Sequence, residues 1–238
     1  VHDGTCMVKS YNDGISAGAA TSPVPCYVLM PTTPANCAAV TSEAFDDDFT
    51  GANGDSLDPC KWTSWGAPYN TALAEIQSNK LRISAVSTAG SDLRGLEQEY
   101  CLDGDFDVSI DVDWTGLDQT VVAGNILDCR FLVSGGSVGR QVVVQKDFTN
   151  GTFYQFQAYG DGGSNGSKVS YTPGTHTFRI TRVGAVITGY FNGISHTFAN
   201  SSQTFKVSIS AGSLGTGTKP ACSADFDDFT QTTLTSLI

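Results

Sequence analysis

The sequence predicts an all-β fold, two antiparallel sheets packed as a sandwich, behind an extended N-terminal arm. Three observations carry this. Apolar and polar residues alternate with period two through most of the chain beyond residue 43. Short runs of that kind are separated by turn dipeptides, Asp103-Gly104, Asn150-Gly151, Asn165-Gly166, Pro173-Gly174 and Asn192-Gly193. No 3.6-residue periodicity persists beyond two turns. Alternation is the mark of a strand with one buried and one wet face, and about a dozen such strands joined by tight turns close into a sandwich.

The elements follow in order. Residues 1–43 hold Pro23, Pro25, Pro31 and Pro34 among small residues, and proline favours extended backbone over helix. This segment reads as an arm, set apart from a sandwich over 44–238. Strands are expected near 73–77, 80–87, 93–101, 105–114, 126–134, 139–147, 152–160, 167–171, 175–182, 185–191, 194–199, 204–211 and 222–230. The clearest is 105–114, where Phe106, Val108, Ile110, Val112 and Trp114 alternate with Asp105, Asp107, Ser109, Asp111 and Asp113. Asn192-Gly193 between short strands signals a type I′ hairpin. Trp62, Trp65 and Trp114 are expected to fill the space between the sheets.

The formal net charge is −11, which repels phosphate backbones and anionic lipid surfaces and so disfavours nucleic-acid and membrane partners. All but four of the 24 acidic residues are Asp, a turn and cap former, which suits a chain without helices. No apolar run is long enough for a membrane-spanning helix.

Cysteines stand at Cys6, Cys26, Cys37, Cys60, Cys101, Cys129 and Cys222 with no Cys-x-x-Cys pair, and His2, His176 and His196 are too scattered for a metal motif. All seven cysteines are disulfide candidates in an extracellular or virion-surface setting, one of them left over; buried small apolar residues are the other use. The sequons at Asn150, Asn165 and Asn200 lie in stretches that also read as turns.

Four stretches carry a resemblance. Phe45-Asp-Asp-Asp-Phe49 with Leu57-Asp-Pro-Cys-Lys-Trp62 is the first. Leu102-Asp-Gly-Asp-Phe-Asp-Val108 leading to Asp111-Val-Asp-Trp114 is the second. Phe178-Arg-Ile-Thr-Arg-Val-Gly184 continuing to Gly189-Tyr-Phe-Asn-Gly193 is the third, and Ala224-Asp-Phe-Asp-Asp-Phe229 closes the set. Together they resemble the laminin-G-like branch of the concanavalin A-like lectin/glucanase superfamily over residues 44–230. The resemblance implies a jelly roll whose first and last strands pair.

That pairing would gather the two copies of Asp-Asp-Phe-Thr, at 47–50 and 227–230. Asp47, Asp48, Asp227 and Asp228 are then candidate ligands for a structural calcium ion, against the alternative of a solvated edge that discourages strand addition. Glucanases of this superfamily carry Glu-x-Asp-x-Glu on a strand. The nearest acidic series here is Glu97-Gln-Glu99, followed on the same face by Cys101, so no catalytic residue is assigned. Asp107, Asp111 and Asp113 share a face but do not match that motif. Candidate glycan-contacting aromatics are Trp65, Tyr69, Tyr154 and Tyr159, because a sugar's apolar face packs on a ring. The function expected first is a non-enzymatic structural or decoration subunit of a virion or extracellular assembly. Its arm would dock on neighbouring subunits, and cell-surface glycans are a further partner. The alternative is a secreted glycoside hydrolase or polysaccharide-binding module of the same fold.

Overall fold

A computed structural model of the chain describes residues 46–59, 61–65, 74–85, 92–102, 104–114, 121–135, 137–160, 163–198, 205–215 and 221–234. The expected arm at 1–43 lies outside them. Within them fourteen strands form two antiparallel sheets, and there is no helix. The first sheet runs β1 (Trp62–Trp65), β4 (Asp92–Leu102), β13 (Phe205–Gly215), β6 (Asn125–Gly135), β7 (Val138–Asp147), β8 (Gly151–Tyr159) and β9 (Val169–Ser170), in that lateral order. The second runs β12 (Ile194–Thr197), β11 (Val186–Phe191), β10 (Thr175–Val183), β5 (Asp105–Asp113), β14 (Cys222–Leu234), β3 (Leu81–Ala85) and β2 (Ala74–Ile76). The expected two-sheet sandwich is thus observed.

The period-two pattern explains the layers. On β5, Phe106, Val108, Ile110 and Val112 are buried and the residues between them are half-exposed. The inward faces of both sheets merge in one core, where Leu127, Cys129, Phe131 and Val133 of β6 meet Phe178, Ile180 and Phe226 of the second sheet. Trp62 and Trp114 belong to that core, as expected. The β11–β12 hairpin turns on Asn192 and Gly193 with φ of 46° and 74°, the type I′ geometry that Asn-Gly predicts.

Two differences stand out. The alternation predicts no strand before residue 73, yet Trp62–Trp65 is an edge strand, held in register by β4 through Trp62↔Gln98 and Trp65↔Gly95. Four residues carry too little alternation to announce a strand, so the partner's register makes it one. The first and last segments do meet, but as a single bridge. Asp47 N–H donates to Phe229 O and Phe229 N–H to Asp47 O, both at 2.9 Å. Trp62 closes this seam, with Phe49 at 5.9 Å and Phe229 at 5.1 Å between ring centroids, and its indole N–H donates to Asp47 Oδ2 at 2.9 Å.

Candidate functional site

The two sheets differ on their outward faces. On the second sheet that face is wet and acidic. On the first it is polar but largely buried, and this is the face that could do chemistry. Its members follow from register. Asp128, Arg130, Leu132 and Ser134 on β6 lie opposite Gln145, Val143, Gln141 and Gly139 on β7. The same β7 positions lie opposite Phe153, Gln155, Gln157 and Tyr159 on β8. On the other side Ser208 and Ser210 of β13 lead to Glu97 and Gly95 of β4.

An amide relay crosses this face. Gln141 Nε2 donates to Gln157 Oε1 at 2.7 Å, Gln157 Nε2 donates to Gln145 Oε1 at 3.0 Å, and Gln145 Nε2 donates to Asp128 Oδ2 at 3.2 Å. The relay ends on a charge. Asp128 is wholly buried and takes Arg130 Nε on the same oxygen at 2.8 Å, with Arg130 Nη2 beside it. Burial opposes the charged Arg130 guanidinium, but the Asp128 carboxylate more than restores it and holds the group above its ordinary range. Asp128 Oδ1 and Gln141 Oε1 are buried acceptors with no hydrogen-bond partner. Each such atom costs about 1–3 kcal/mol, a cost that functional sites characteristically carry.

The acidic residues expected to matter are distributed otherwise. Glu97 is half-exposed on β4, accepting Lys206 Nζ at 2.9 Å and Ser208 Oγ at 3.4 Å. The side chains of Glu99 and Cys101 lie outside the described residues. Asp128 is opposite Gly212 and Glu97 opposite Ser208 on the strand between them. Two strand spacings and four residues put the two carboxylates about 17 Å apart. Retaining hydrolases need about 5–5.5 Å and inverting ones about 6.5–9.5 Å.

The four aspartates proposed for calcium do not form a cage. Asp47, Asp48 and Asp228 line one pocket with Asp46, Lys61, Phe229 and Thr230, and Asp227 is not among them. Three oxygens of Asp47 and Asp48 accept hydrogen bonds. Asp47 Oδ1 accepts Phe49 N–H, and Oδ2 accepts the Trp62 indole with the Lys61 ammonium 3.7 Å away. Asp48 Oδ1 accepts the backbone and hydroxyl of Thr50, which hold that carboxyl below its usual range. Among the described residues no three acidic, His or Cys side chains are grouped to hold a metal ion. The Lys61 ammonium lies among these carboxylates and donates to Asp46 O at 2.6 Å.

Asp227 instead faces Asp111 across β14 and β5. Burial first, and then the charges of Asp228 and Asp111, keep its carboxyl above the usual range despite Lys80 at 3.9 Å. Its folded pKa is raised above the unfolded value of about 3.9, so ionising it costs stability above that range and the cost vanishes as pH falls below it. Asp227→Asn is expected to raise the thermal midpoint at pH 7 by about 1–3 °C, with the gain disappearing below about pH 4. A gain that persists in acid would discard this account.

The aromatic candidates separate clearly. Tyr154 was expected near the surface but is 1% exposed in the core, 4.5 Å from the Phe191 ring centroid, and burial pushes its phenol far up. Its place on β8 alternates with the outward positions, so it points between the sheets. Tyr159 is on the polar face and 43% exposed. Trp65 sits on β1 opposite Gly95, and neither its side chain nor Tyr69 is among the described residues. Cys129 and Cys222 were disulfide candidates; both are buried thiols and neither is in a disulfide. Burial, and next the Asp128 charge, push the Cys129 thiol well up. Both are expected to resist a thiol reagent such as DTNB until the protein unfolds, and rapid labelling of the native protein would contradict the packing described. Cys6, Cys26, Cys37 and Cys60 lie outside the described residues.

No protein-family model and no curated protein matches the sequence. Solved structures do match. A β-1,3-glucanase from Mycobacterium marinum superposes with a TM-score of 0.59 at 12% identity, over 80% of this chain and 98% of that one. An endo-acting O-glycanase of the human gut microbiota, from work on mucin breakdown, gives 0.61 at 12% over 81% and 99%. A Mycobacterium tuberculosis protein described as an immunostimulatory antigen and pseudo β-1,3-glucanase gives 0.55 at 12% over 80% and 98%.

The chain shares the jelly-roll sandwich fold of these structures.

A Glu-x-Asp-x-Glu series in such a jelly roll puts three acidic side chains on one face of one strand. On the polar face here, β7 presents Gln141, Val143 and Gln145 at that spacing, and β6 presents Asp128, Arg130 and Leu132. β8 presents Gln155, Gln157 and Tyr159, and β13 presents Lys206, Ser208 and Ser210. None of these four strands carries an acidic series; the acids nearest to one are Glu97 and Glu99 of β4, two positions apart in the sequence. The glutamines, Asp128 and Arg130 were not singled out from the sequence, although Gln141-Val-Val-Val-Gln145 carries the same i, i+4 spacing in amide form.

Proposed function

We propose that this protein is a glycan-binding module that does not hydrolyse its ligand, built on a glucanase-type jelly roll and working outside the cell. One observation carries the reading: the centre of the polar face is a relay of amides ending on a charge-paired aspartate, and Glu97 beside it is engaged by Lys206. Amides and hydroxyls with unpaired acceptors suit the hydroxyl groups of a sugar, and they supply neither a general acid nor a nucleophile. The likeness to carbohydrate-active folds supports this alternative over the assembly subunit expected first, whose arm and neighbouring-subunit contacts fall outside the described residues.

Calorimetric titration against neutral oligosaccharides, with product analysis of the same mixtures, tests the reading. Saturable binding with the oligosaccharide recovered intact is expected. Release of reducing ends that is abolished by Glu97→Gln with Glu99→Gln would make the protein a hydrolase instead. Failure to bind any neutral glycan would also end the proposal.

A further inference from the structure

Tyr159 ends β8 on the polar face, opposite Gly139 of β7. Its ring lies across that glycine. A Cβ on Gly139 would stand 2.2 Å from Tyr159 Cζ, so any other residue there would push the ring away. The next residue, Gly160, has a φ of 101°, and a Cβ on it would come within 2.3 Å of Ser137 O. Only glycine allows the chain to turn there without displacing the tyrosine. Ser134 lies on the strand beyond Gly139, directly opposite that glycine. The Tyr159 carbonyl accepts Arg140 Nη1 at 3.3 Å. The ring is therefore seated on Gly139, while 43% of the residue stays open.

Packing on Gly139 accounts for where the ring lies, and it leaves one side of a large aromatic open beside a polar sheet. Two positions back on the same face is Gln157, the hub of the amide relay. Among the described side chains of this face the charges are paired, Arg130 with Asp128 and Lys206 with Glu97. An aromatic surface with adjoining amides and no excess charge suits a molecule with one apolar face, hydroxyls at its rim and no net charge.

We infer that Tyr159, laid across Gly139, is the stacking platform for one pyranose ring of a neutral glycan whose rim hydroxyls meet the Gln157 side of the relay. This rests on the glycan-binding reading and gives it a ligand class and a contact point. The platform is organised before the ligand arrives, so the entropy of fixing the ring is not lost on binding.

The test titrates wild type and variants with β-1,3-linked and β-1,4-linked glucose oligosaccharides, with oligogalacturonate as the anionic probe. Wild type is expected to bind a neutral oligosaccharide and not the anionic one. Tyr159→Leu is expected to weaken binding by about tenfold or more, equal to about 1.4 kcal/mol, because it keeps apolar volume and loses the ring. Tyr159→Phe is expected to stay within about threefold of wild type, about 0.7 kcal/mol, because the ring carries the contact. Gly139→Ala is expected to weaken binding with Tyr159 still present, a result that loss of a tyrosine contact elsewhere would not give. Circular dichroism of each variant checks that the fold is retained; should Gly139→Ala fail to fold, the Leu and Phe pair decides alone. Unchanged binding in Tyr159→Leu overturns the platform and leaves glycan binding intact. Tighter binding of oligogalacturonate overturns the neutral class, and absence of binding by wild type overturns both readings together.

Discussion

Arg130→Met is expected to destabilise the protein by about 3–5 kcal/mol at pH 7. Asp128 is wholly buried, and one of its oxygens takes the Arg130 guanidinium and the Gln145 amide. Methionine keeps most of the arginine stem's packing but leaves a carboxylate in the sheet with one amide donor. An uncompensated buried charge costs far more than the pair itself contributes. The control is Asp128→Asn together with Arg130→Met, which removes the charge and should recover most of the loss. Urea denaturation midpoints at constant m-value measure both. A single variant that loses less than about 1 kcal/mol would mean that Asp128 is not a desolvated charge, and a double variant no better than the single would mean that Arg130 acts through packing alone.

Trp62→Ala is the second large effect, expected at about 3–5 kcal/mol. The first and last described segments are joined by one bridge, Asp47↔Phe229, so backbone hydrogen bonding alone holds the seam weakly. Trp62 fills it, 4% exposed, tilted against Phe49 and edge-to-face with Phe229, with its indole N–H on Asp47. Alanine would remove the ring contacts and leave a cavity that the flanking phenylalanines can only partly fill. Trp62→Phe keeps an aromatic ring and loses the indole N–H, so about 1–2 kcal/mol is expected, mostly from the Asp47 carboxylate losing a donor. Equal losses in the two variants would show that the hydrogen bond, rather than the packing, closes the sandwich.

These residues show how far the sequence reached. The alternation at 105–114 located β5 and assigned its faces, and the same pattern located the other long strands within a few residues. Asn192-Gly193 specified its hairpin because only residues tolerant of positive φ fit a type I′ turn. The seam between the first and last segments was legible from the resemblance alone. The site was not. Period two says which residues share a strand's face but not which face of the sheet meets the other sheet. Tyr154 and Tyr159, five residues apart, fall on opposite faces, and the alternation alone did not say which of them is core. Glu97 stood out as an acid with an acidic neighbour, while the polar face is organised around Asp128 and four glutamines that no acid-based motif selects.

By itself the sequence determined the strands, the turns and the alternation of faces, because these depend on backbone sterics and on side chains two positions apart. The tertiary structure alone decided that Gln145 meets Asp128, that Trp62 spans the seam and that Tyr159 lies on Gly139. Each of those contacts depends on lateral strand order and register, set by packing residues distant in sequence into one core. A period of two carries no information about which strand lies alongside.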